Sequence, residues 1–412
     1  MKVLLFASCQ KTFNYLKNIH SELLKRNYDS AIIHHRGNHT GMPFGNYTME
    51  VGNFSYHNEI VNDVFGQWAS TGNSPDFLFV ARERWEPELS VIKQMKQFYP
   101  NIKVCLVEIN TPLYCGIEMT MEQISREKLG NDFININFEH SKNTLDIRKM
   151  HTDWTGWDNS VIVGNPYWDM LKTIDVSECA KKYNVDKNKE QLLFFSTISG
   201  TRPKVLKALE NIANTIDRDK YQIYYKPFPA EPTDPNWQPH QFKFDGVNQP
   251  TFYLDDIIDG VIYNQIDLPS MMNICEYHIG NISSVNYASV LLNKQLVSLD
   301  DITDNTNRSN DLDFYKSNEA EQDGMRADFW MRIHNFRDIN HFEEVAGRNI
   351  DKFIKNNRKM KKEIRKYCYM YNDTNDFLKS KKRHSVKLLK YFDDFGDFNS
   401  SFRIVNHLEK IA

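Results

Sequence analysis

Two adjacent serines separate a short apolar stretch from a helical pattern in EYHIGNISSVNYASVLLNKQLVSLDD, residues 276–301. The pattern predicts a strand, a turn at Asn281, a short helix that begins after Ser283 and Ser284, and a second strand. A helix N-terminus offers unpaired backbone N–H groups and a partial positive charge, which suit a phosphate. Asn281 and the serine hydroxyls could therefore bind phosphate, although capping of the helix is the commoner role of such serines.

A second helix start of this kind lies in STISGTRPKVL, residues 196–206. Gly200, Thr201 and Arg202 precede a proline in the predicted first turn. Arg202 could neutralise negative charge that develops on a leaving diphosphate, or it could be an exposed arginine on a capped helix. Lys226 ends the predicted strand YQIYYK. It could bind phosphate, or it could be an exposed lysine at the surface.

If the bound phosphate is part of a group donor, transfer of that group to a hydroxyl needs a base that accepts the hydroxyl proton. Glu108 ends the apolar run KVCLVE, and we rank it first. His140, which follows FININFE, and Asp153, in HTDWTGWD, are the alternatives. Each of the three could equally be an ordinary loop residue.

Apolar runs alternate with helical patterns in two parts of the chain. The runs lie at 2–8, 30–35, 76–81, 103–109, 133–138 and 160–164, and then at 192–199, 221–228, 260–264, 277–281 and 294–300. Continuous apolar strands that alternate with helices predict parallel sheets buried on both faces. We therefore predict an α/β protein with a first Rossmann-like domain at 1–172, a second at 190–330 and a helical, basic extension at 331–412.

The charge of the 412-residue chain is unevenly distributed. Residues 352–390 contain 14 Lys and Arg against three acidic residues, or +11, so that the total of −3 leaves −14 on the remainder. This asymmetry predicts a polyanionic partner, which could be DNA or an anionic membrane surface, although a solvated amphipathic helix would have the same composition. The six scattered cysteines predict free, mostly buried thiols in a reducing cytoplasm, and no cysteine or histidine spacing predicts a metal site.

Three segments resemble motifs of two-domain transferases of the GT-B type, above all the CDP-glycerol glycerophosphotransferase and polysaccharide-transferase branch. ISSVNYASVLLNKQLVSL resembles the donor-phosphate motif, with Lys294 at the usual lysine and Gln295 in place of the usual proline. VGNPYWDML (163–171) is similar to a motif that those families share with UDP-GlcNAc 2-epimerases, and YYKPFP (224–229) is similar to K-P-H-P. Phe228 replaces the histidine of that last motif, which favours a sugar transferase over a strict glycerophosphotransferase.

The resemblance implies two Rossmann-like domains facing across a cleft and a metal-independent glycosyltransferase with a nucleotide diphospho-sugar donor, most simply a UDP-sugar. The donor is a substrate, and no further cofactor is implied. Phage DNA that contains hydroxymethylcytosine is the first acceptor to consider, in which case the enzyme would work in the host cytoplasm. A transferase acting on wall teichoic acid or capsule polymer, and a non-catalytic polyanion-binding protein, are the alternatives.

Overall fold

Two parallel β-sheets, each flanked by helices, organise the chain. The computed structural model describes residues 1–7, 10–35, 48–51, 74–81, 86–109, 133–151, 155–196, 202–227, 257–263, 267–280, 285–299, 366–370 and 376–412. Within these residues, the first sheet has seven strands and the second has six. The α/β fold class predicted from the alternating pattern is confirmed.

The first sheet has the strand order β3-β2-β1-β4-β5-β6-β7, with every neighbouring pair parallel. Its strands are β1 (Lys2–Ala7), β2 (Asp29–His35), β3 (Thr48–Val51), β4 (Phe77–Val80), β5 (Lys103–Val107), β6 (Ile136–Glu139) and β7 (Ser160–Ile162), and its helices include α1 (Gln10–Lys25), α2 (Glu86–Phe98) and α3 (Lys142–His151). Side chains of β1 enter two different hydrophobic clusters, Leu5 in one and Leu4 in the other, because successive residues of a strand face opposite sides of the sheet.

The second sheet repeats this winding, with the order β10-β9-β8-β11-β12-β13 and parallel pairing throughout. Its strands are β8 (Glu190–Phe195), β9 (Tyr221–Lys226), β10 (Gly260–Val261), β11 (Tyr277–Gly280), β12 (Gln295–Ser298) and β13 (Tyr369–Met370), and the helices around it are α4 (Ser177–Lys182), α5 (Arg202–Thr215), α6 (Leu268–Ile274) and α7 (Val285–Leu291). In both sheets the strand order reverses beside the first strand of the unit, and ligands of such sheets bind outside the carboxyl ends of the strands at that point.

The extension predicted as helical at 331–412 is helical only in part. Tyr369 and Met370 form β13, which pairs with β12, and 3-10 helices follow at Asp376–Lys379 and Ser385–Tyr391. Tyr369 and Phe377 are buried against the second sheet, so this segment extends that domain. The helical pattern at 342–354 lies outside the described residues, and the predicted domain boundaries stay predictions.

The last helix, α8 (Ser400–Ile411), packs against α1 of the first domain. Ile404, Val405 and Leu408 are buried in the cluster that covers one face of the first sheet. Arg26, which directly follows α1, donates a 2.6 Å hydrogen bond to Asn406. The C-terminal part of the chain therefore returns from the second domain to the first.

The described segments also bear on the cysteines, on membrane-spanning helices and on metal ligands. The four cysteines in the described segments, Cys105, Cys179, Cys275 and Cys368, are buried free thiols. No helix in those segments is long and apolar enough to cross a membrane. Nor do three His, Cys, Asp or Glu side chains come together there as a set that could hold a metal ion.

Candidate functional site

Two of the three candidate bases lie side by side at the carboxyl edge of the first sheet. Glu108 follows β5 and His140 follows β6, and these strands are paired. His140 Nε2 lies 2.6 Å from the backbone oxygen of Glu108. Because a carbonyl oxygen can only accept, Nε2 donates this hydrogen bond, and Nδ1 is the basic nitrogen of the neutral ring. Asp153, the third candidate, lies outside the described residues.

A buried ionic cluster, comprising Glu108, Glu139 and Arg148, lies beneath this pair. The fully buried Arg148 of α3 places Nη1 3.2 Å from Glu108 Oε2 and Nε 2.7 Å from Glu139 Oε1. Thr144 donates a 3.1 Å hydrogen bond to the other oxygen of Glu139. Sequence analysis missed Arg148 and Glu139, although a glutamate that directly precedes His140 at the end of an apolar strand was a usable signal.

Aromatic rings from both domains surround His140. Its ring stacks on Tyr15 of α1, with centroids 6.2 Å apart and planes 14° apart. The ring of Tyr287 meets it edge-on, with centroids 5.8 Å apart. Tyr287 belongs to α7, the helix that follows Ser283 and Ser284, so the junction of the two domains passes through this contact.

The carboxyl edge of the second sheet carries the candidate phosphate-binding residues. Lys226 ends β9 as predicted, is 4% exposed, and donates a 2.5 Å hydrogen bond to Pro227 O. Arg202 begins α5, as the proline in the first turn indicated, but its side chain is outside the described part. Gly200, Thr201, Asn281, Ser283 and Ser284 are also outside the described residues, so their roles stay predictions.

Gly280 ends β11 in a place where no side chain fits. A Cβ there would lie 2.6 Å from the backbone oxygen and from two ring carbons of Phe195, on the neighbouring strand β8. The two strands therefore approach closely at the point where the chain leaves the sheet for the serine turn. The close contact with Phe195 therefore requires the glycine in EYHIGN, which the turn pattern alone did not reveal.

A buried histidine of β11 holds α7 against the second sheet. His278 of β11 places Nδ1 2.7 Å from Ser289 Oγ on α7 and donates a 3.0 Å hydrogen bond from Nε2 to Met272 O on α6. Burial lowers the pKa of His278 to about 3, so its ring is neutral at physiological pH. These contacts tie α7 to the sheet and to α6.

Lys382 and Arg383, in the described part of the basic stretch, lie at the opposite, amino edge of the second sheet. Lys382 pairs with Glu190 at 3.4 Å and with Glu276 at 3.1 Å, and these glutamates stand at the amino ends of β8 and β11. Arg383 donates to the backbone oxygen of Cys368, just before β13. Some cations of the basic stretch therefore form ion pairs and hydrogen bonds within the protein, whereas the side chain of Lys379 is 79% exposed.

Comparisons with known proteins identify the fold. No protein-family model matches the sequence, and no curated protein matches it. The UDP-GlcNAc 2-epimerase of Methanocaldococcus jannaschii is similar in structure, with a TM-score of 0.57 and 16% identity over 100% of both chains. The UDP-GlcNAc 2-epimerase of Neisseria meningitidis, bound to UDP-GlcNAc, has a TM-score of 0.56 and 14% identity over 100% of both chains.

The wall teichoic acid polymerase TagF is a third similar structure, with a TM-score of 0.57 and 13% identity over 99% of this chain and 88% of that one. The chain therefore has a GT-B-like fold of two Rossmann-like domains, as the motif resemblance predicted. Identities of this size show the fold alone.

Proposed function

We propose that this protein binds a nucleotide diphospho-sugar, with a UDP-sugar as the first choice, and transfers the sugar to a hydroxyl group. The observation that carries the proposal is the contact between Tyr287 and His140, at a ring distance of 5.8 Å. It brings the helix behind the predicted phosphate site of one domain next to the candidate base of the other. A group can pass from a donor held by one domain to an acceptor held by the other only when the two sites are adjacent.

The donor diphosphate would lie at the start of α7 and α5, at the carboxyl edge of the second sheet. We propose that it is held by the backbone and side chains of Asn281, Ser283, Ser284, Gly200, Thr201, Arg202 and Lys226. UDP is the first nucleotide to test because the similar Neisseria meningitidis structure is bound to UDP-GlcNAc.

We propose His140 as the base in preference to Glu108. One carboxylate oxygen of Glu108 is already in contact with the buried Arg148, which assigns that side chain to the ionic cluster. His140 has its Nε2 hydrogen directed to a backbone oxygen, so Nδ1 would accept the hydroxyl proton. The acceptor oxygen would form its bond to the anomeric carbon, the bond from that carbon to the diphosphate oxygen would break, and the nucleoside diphosphate would leave.

A thermal-shift screen with UDP, CDP, GDP and their sugars tests the donor site. We expect one nucleotide to raise the melting temperature of the wild type and to lose this effect in the Ser283→Ala/Ser284→Ala double variant. Ser400→Ala/Ser401→Ala is the matched control, because these paired serines also begin a helix, whose backbone N–H groups are bound by Asp169. Failure of all nucleotides to stabilise the wild type would reject the donor site in favour of a binding protein.

For the acceptor we propose a polyanion, with DNA containing hydroxymethylcytosine first and wall teichoic acid or capsule polymer as the rival. The exposed lysines 379, 381 and 387, at the amino edge of the second sheet, would bind a distant part of this polymer, while its reacting hydroxyl is held by the first domain beside His140. Replacing all three by Glu should weaken duplex DNA binding and reduce its dependence on salt between about 50 and about 200 mM. Lys25, Lys93 and Lys410, also exposed, provide a control with the same change of charge. Equal losses in both variants, or binding to anionic liposomes and not to DNA, would contradict a DNA surface.

A further inference from the structure

Asp393 lies where the chain passes from the second domain to the first. The 3-10 helix that precedes it, Ser385–Tyr391, packs on α7, and helix α8 that follows packs on α1. Asp393 itself is only 5% exposed. The neighbouring Phe392 places its ring edge-on to Tyr287, with centroids 5.6 Å apart. A buried carboxylate at such a crossing requires hydrogen-bond partners, and both domains supply them.

The two oxygens of Asp393 divide these partners. Oδ2 accepts hydrogen bonds from the hydroxyl of Tyr287 at 2.8 Å and from the backbone N–H of Asn165 at 3.2 Å. Oδ1 accepts from the backbone N–H groups of Phe395 at 2.8 Å and Gly396 at 3.0 Å. Burial, followed by the charge of Asp393, raises the pKa of Tyr287 well above its ordinary value, so the hydroxyl keeps its proton and donates.

The segment around Asp393 is fastened to the first domain at further points. Asp394 accepts a 2.9 Å hydrogen bond from the backbone N–H of Lys142, the first residue of α3. Gly164 has φ of +88°, and a Cβ on it would lie 2.6 Å from Ser400 Oγ and 2.8 Å from Asp393 Oδ2. The backbone of the first domain thus approaches this segment as closely as a glycine permits. Asp393 is therefore fixed relative to the strand ends that carry Glu108 and His140.

We infer that Tyr287 and Asp393 form an interdomain latch, in which Tyr287 is a positioning residue that holds α7 against His140. The hydroxyl of Tyr287 bonds to a carboxylate fixed on the first domain, while its ring contacts His140. One side chain thereby contacts two groups that are fixed to the first domain, the carboxylate of Asp393 and the ring of His140. The latch would align the sugar donor with the base, and this role rests on the proposed function.

Small-angle X-ray scattering of the full chain tests the latch independently of any substrate. Tyr287→Phe removes only the hydroxyl, and Asp393→Asn weakens the acceptor. Tyr183→Phe is the control, because its hydroxyl donates a bond of the same 2.8 Å to Asp267 without crossing to the first domain. We expect both latch variants to show a larger radius of gyration than the wild type and the control. Superimposable profiles for all four proteins would overturn the inference.

Titration with UDP separates positioning from ligand binding. We expect the Kd for UDP in Tyr287→Phe to stay within about twofold of the wild type, because the proposed phosphate contacts lie within the second domain. A loss of more than about tenfold would make Tyr287 a binding residue and overturn its assignment as a positioning residue. If the wild type itself does not bind UDP, the UDP-binding proposal fails, and the scattering comparison still supports or overturns the latch.

Discussion

Arg148 provides the positive charge of a buried cluster that also holds the carboxylates of Glu108 and Glu139. Removing a charge from water is costly, and the cost is offset here by the two ion pairs and by the hydrogen bond from Thr144. Such a cluster contributes little net stability compared with apolar packing, but the removal of one of its members is strongly destabilising. It fixes the carboxyl ends of β5 and β6, between which the candidate base lies.

Replacing Arg148 by Met should therefore destabilise the first domain strongly. The variant leaves two buried carboxylates without their guanidinium, and the expected loss is about 3–5 kcal/mol of the free energy of unfolding. Urea unfolding at neutral pH measures it. Lys142→Met, which breaks an exposed ion pair with Asp146 on the same helix, should cause no measurable change. A similar midpoint for the two variants would contradict the role of the buried cluster.

His278 gives a prediction for the dependence of stability on pH. Its folded pKa of about 3 lies below the ordinary value of 6.5, so between these values the unfolded chain binds a proton that the folded chain does not. The stability that His278 contributes is thus present above pH 6.5 and decreases as the pH falls toward 3. At pH 5 the decrease is about 2 kcal/mol.

The His278→Gln variant isolates this effect from the other histidines, such as His20, whose pKa burial also lowers. Glutamine can still donate to Met272 O and contact Ser289, but it does not titrate. We expect the variant to lose less stability than the wild type when the pH falls from 7.5 to 5. If the melting temperatures of the variant and the wild type fall in parallel as the pH is lowered, protonation of His278 does not destabilise the folded protein, and the prediction is wrong.

Among the elements, β11 approaches β8 most closely at Gly280, directly before the predicted phosphate-binding residues. Gly280→Ala places a methyl group 2.6 Å from the backbone oxygen of Phe195, and a backbone atom cannot move aside alone. We expect a loss of about 1–3 kcal/mol in the free energy of unfolding and a weaker nucleotide-induced thermal shift, because the start of α7 is displaced. Gly260→Ala in β10 is the control, since its Cβ would meet Tyr183 and Tyr224 at an ordinary 3.5 Å. If both variants behave alike, the close approach is not what positions the turn.

Most of the strands and their parallel arrangement could be predicted because the sheets are buried on both faces, which produces continuous apolar runs. β3 and β13 were missed, since they comprise four and two residues at sheet edges, and β13 follows a lysine-rich stretch. Glu108 and His140 were found because each ends or directly follows an apolar run that predicts a strand, and the structure shows that the two strands are neighbours. Arg148 was missed because KNTLDIRKMH has the composition of an exposed helix, and only the fold reveals that its arginine points inward.

For the molecule as a whole, the return of α8 makes the first domain depend on residues that follow the second. Leu408 is fully buried in the first-domain cluster, so Leu408→Ala should cost about 2–5 kcal/mol in the free energy of unfolding. Calorimetry should assign this loss to the transition of the first domain and leave that of the second domain in place. Lys410→Ala, on the exposed side of the same helix, is the control. A loss confined to the second-domain transition would contradict this packing.

The same packing orders events during synthesis. Helix α8 is made after every strand of both sheets, yet it covers apolar side chains of the first one. At about 5–20 residues per second, β1 would leave the ribosome roughly 20–80 s before its covering helix. The second domain can bury its own core during this interval, while the part of the earlier-made sheet that α1 does not cover is still open to water and to chaperones. The domain that is synthesised first is thus the one that completes its folding last.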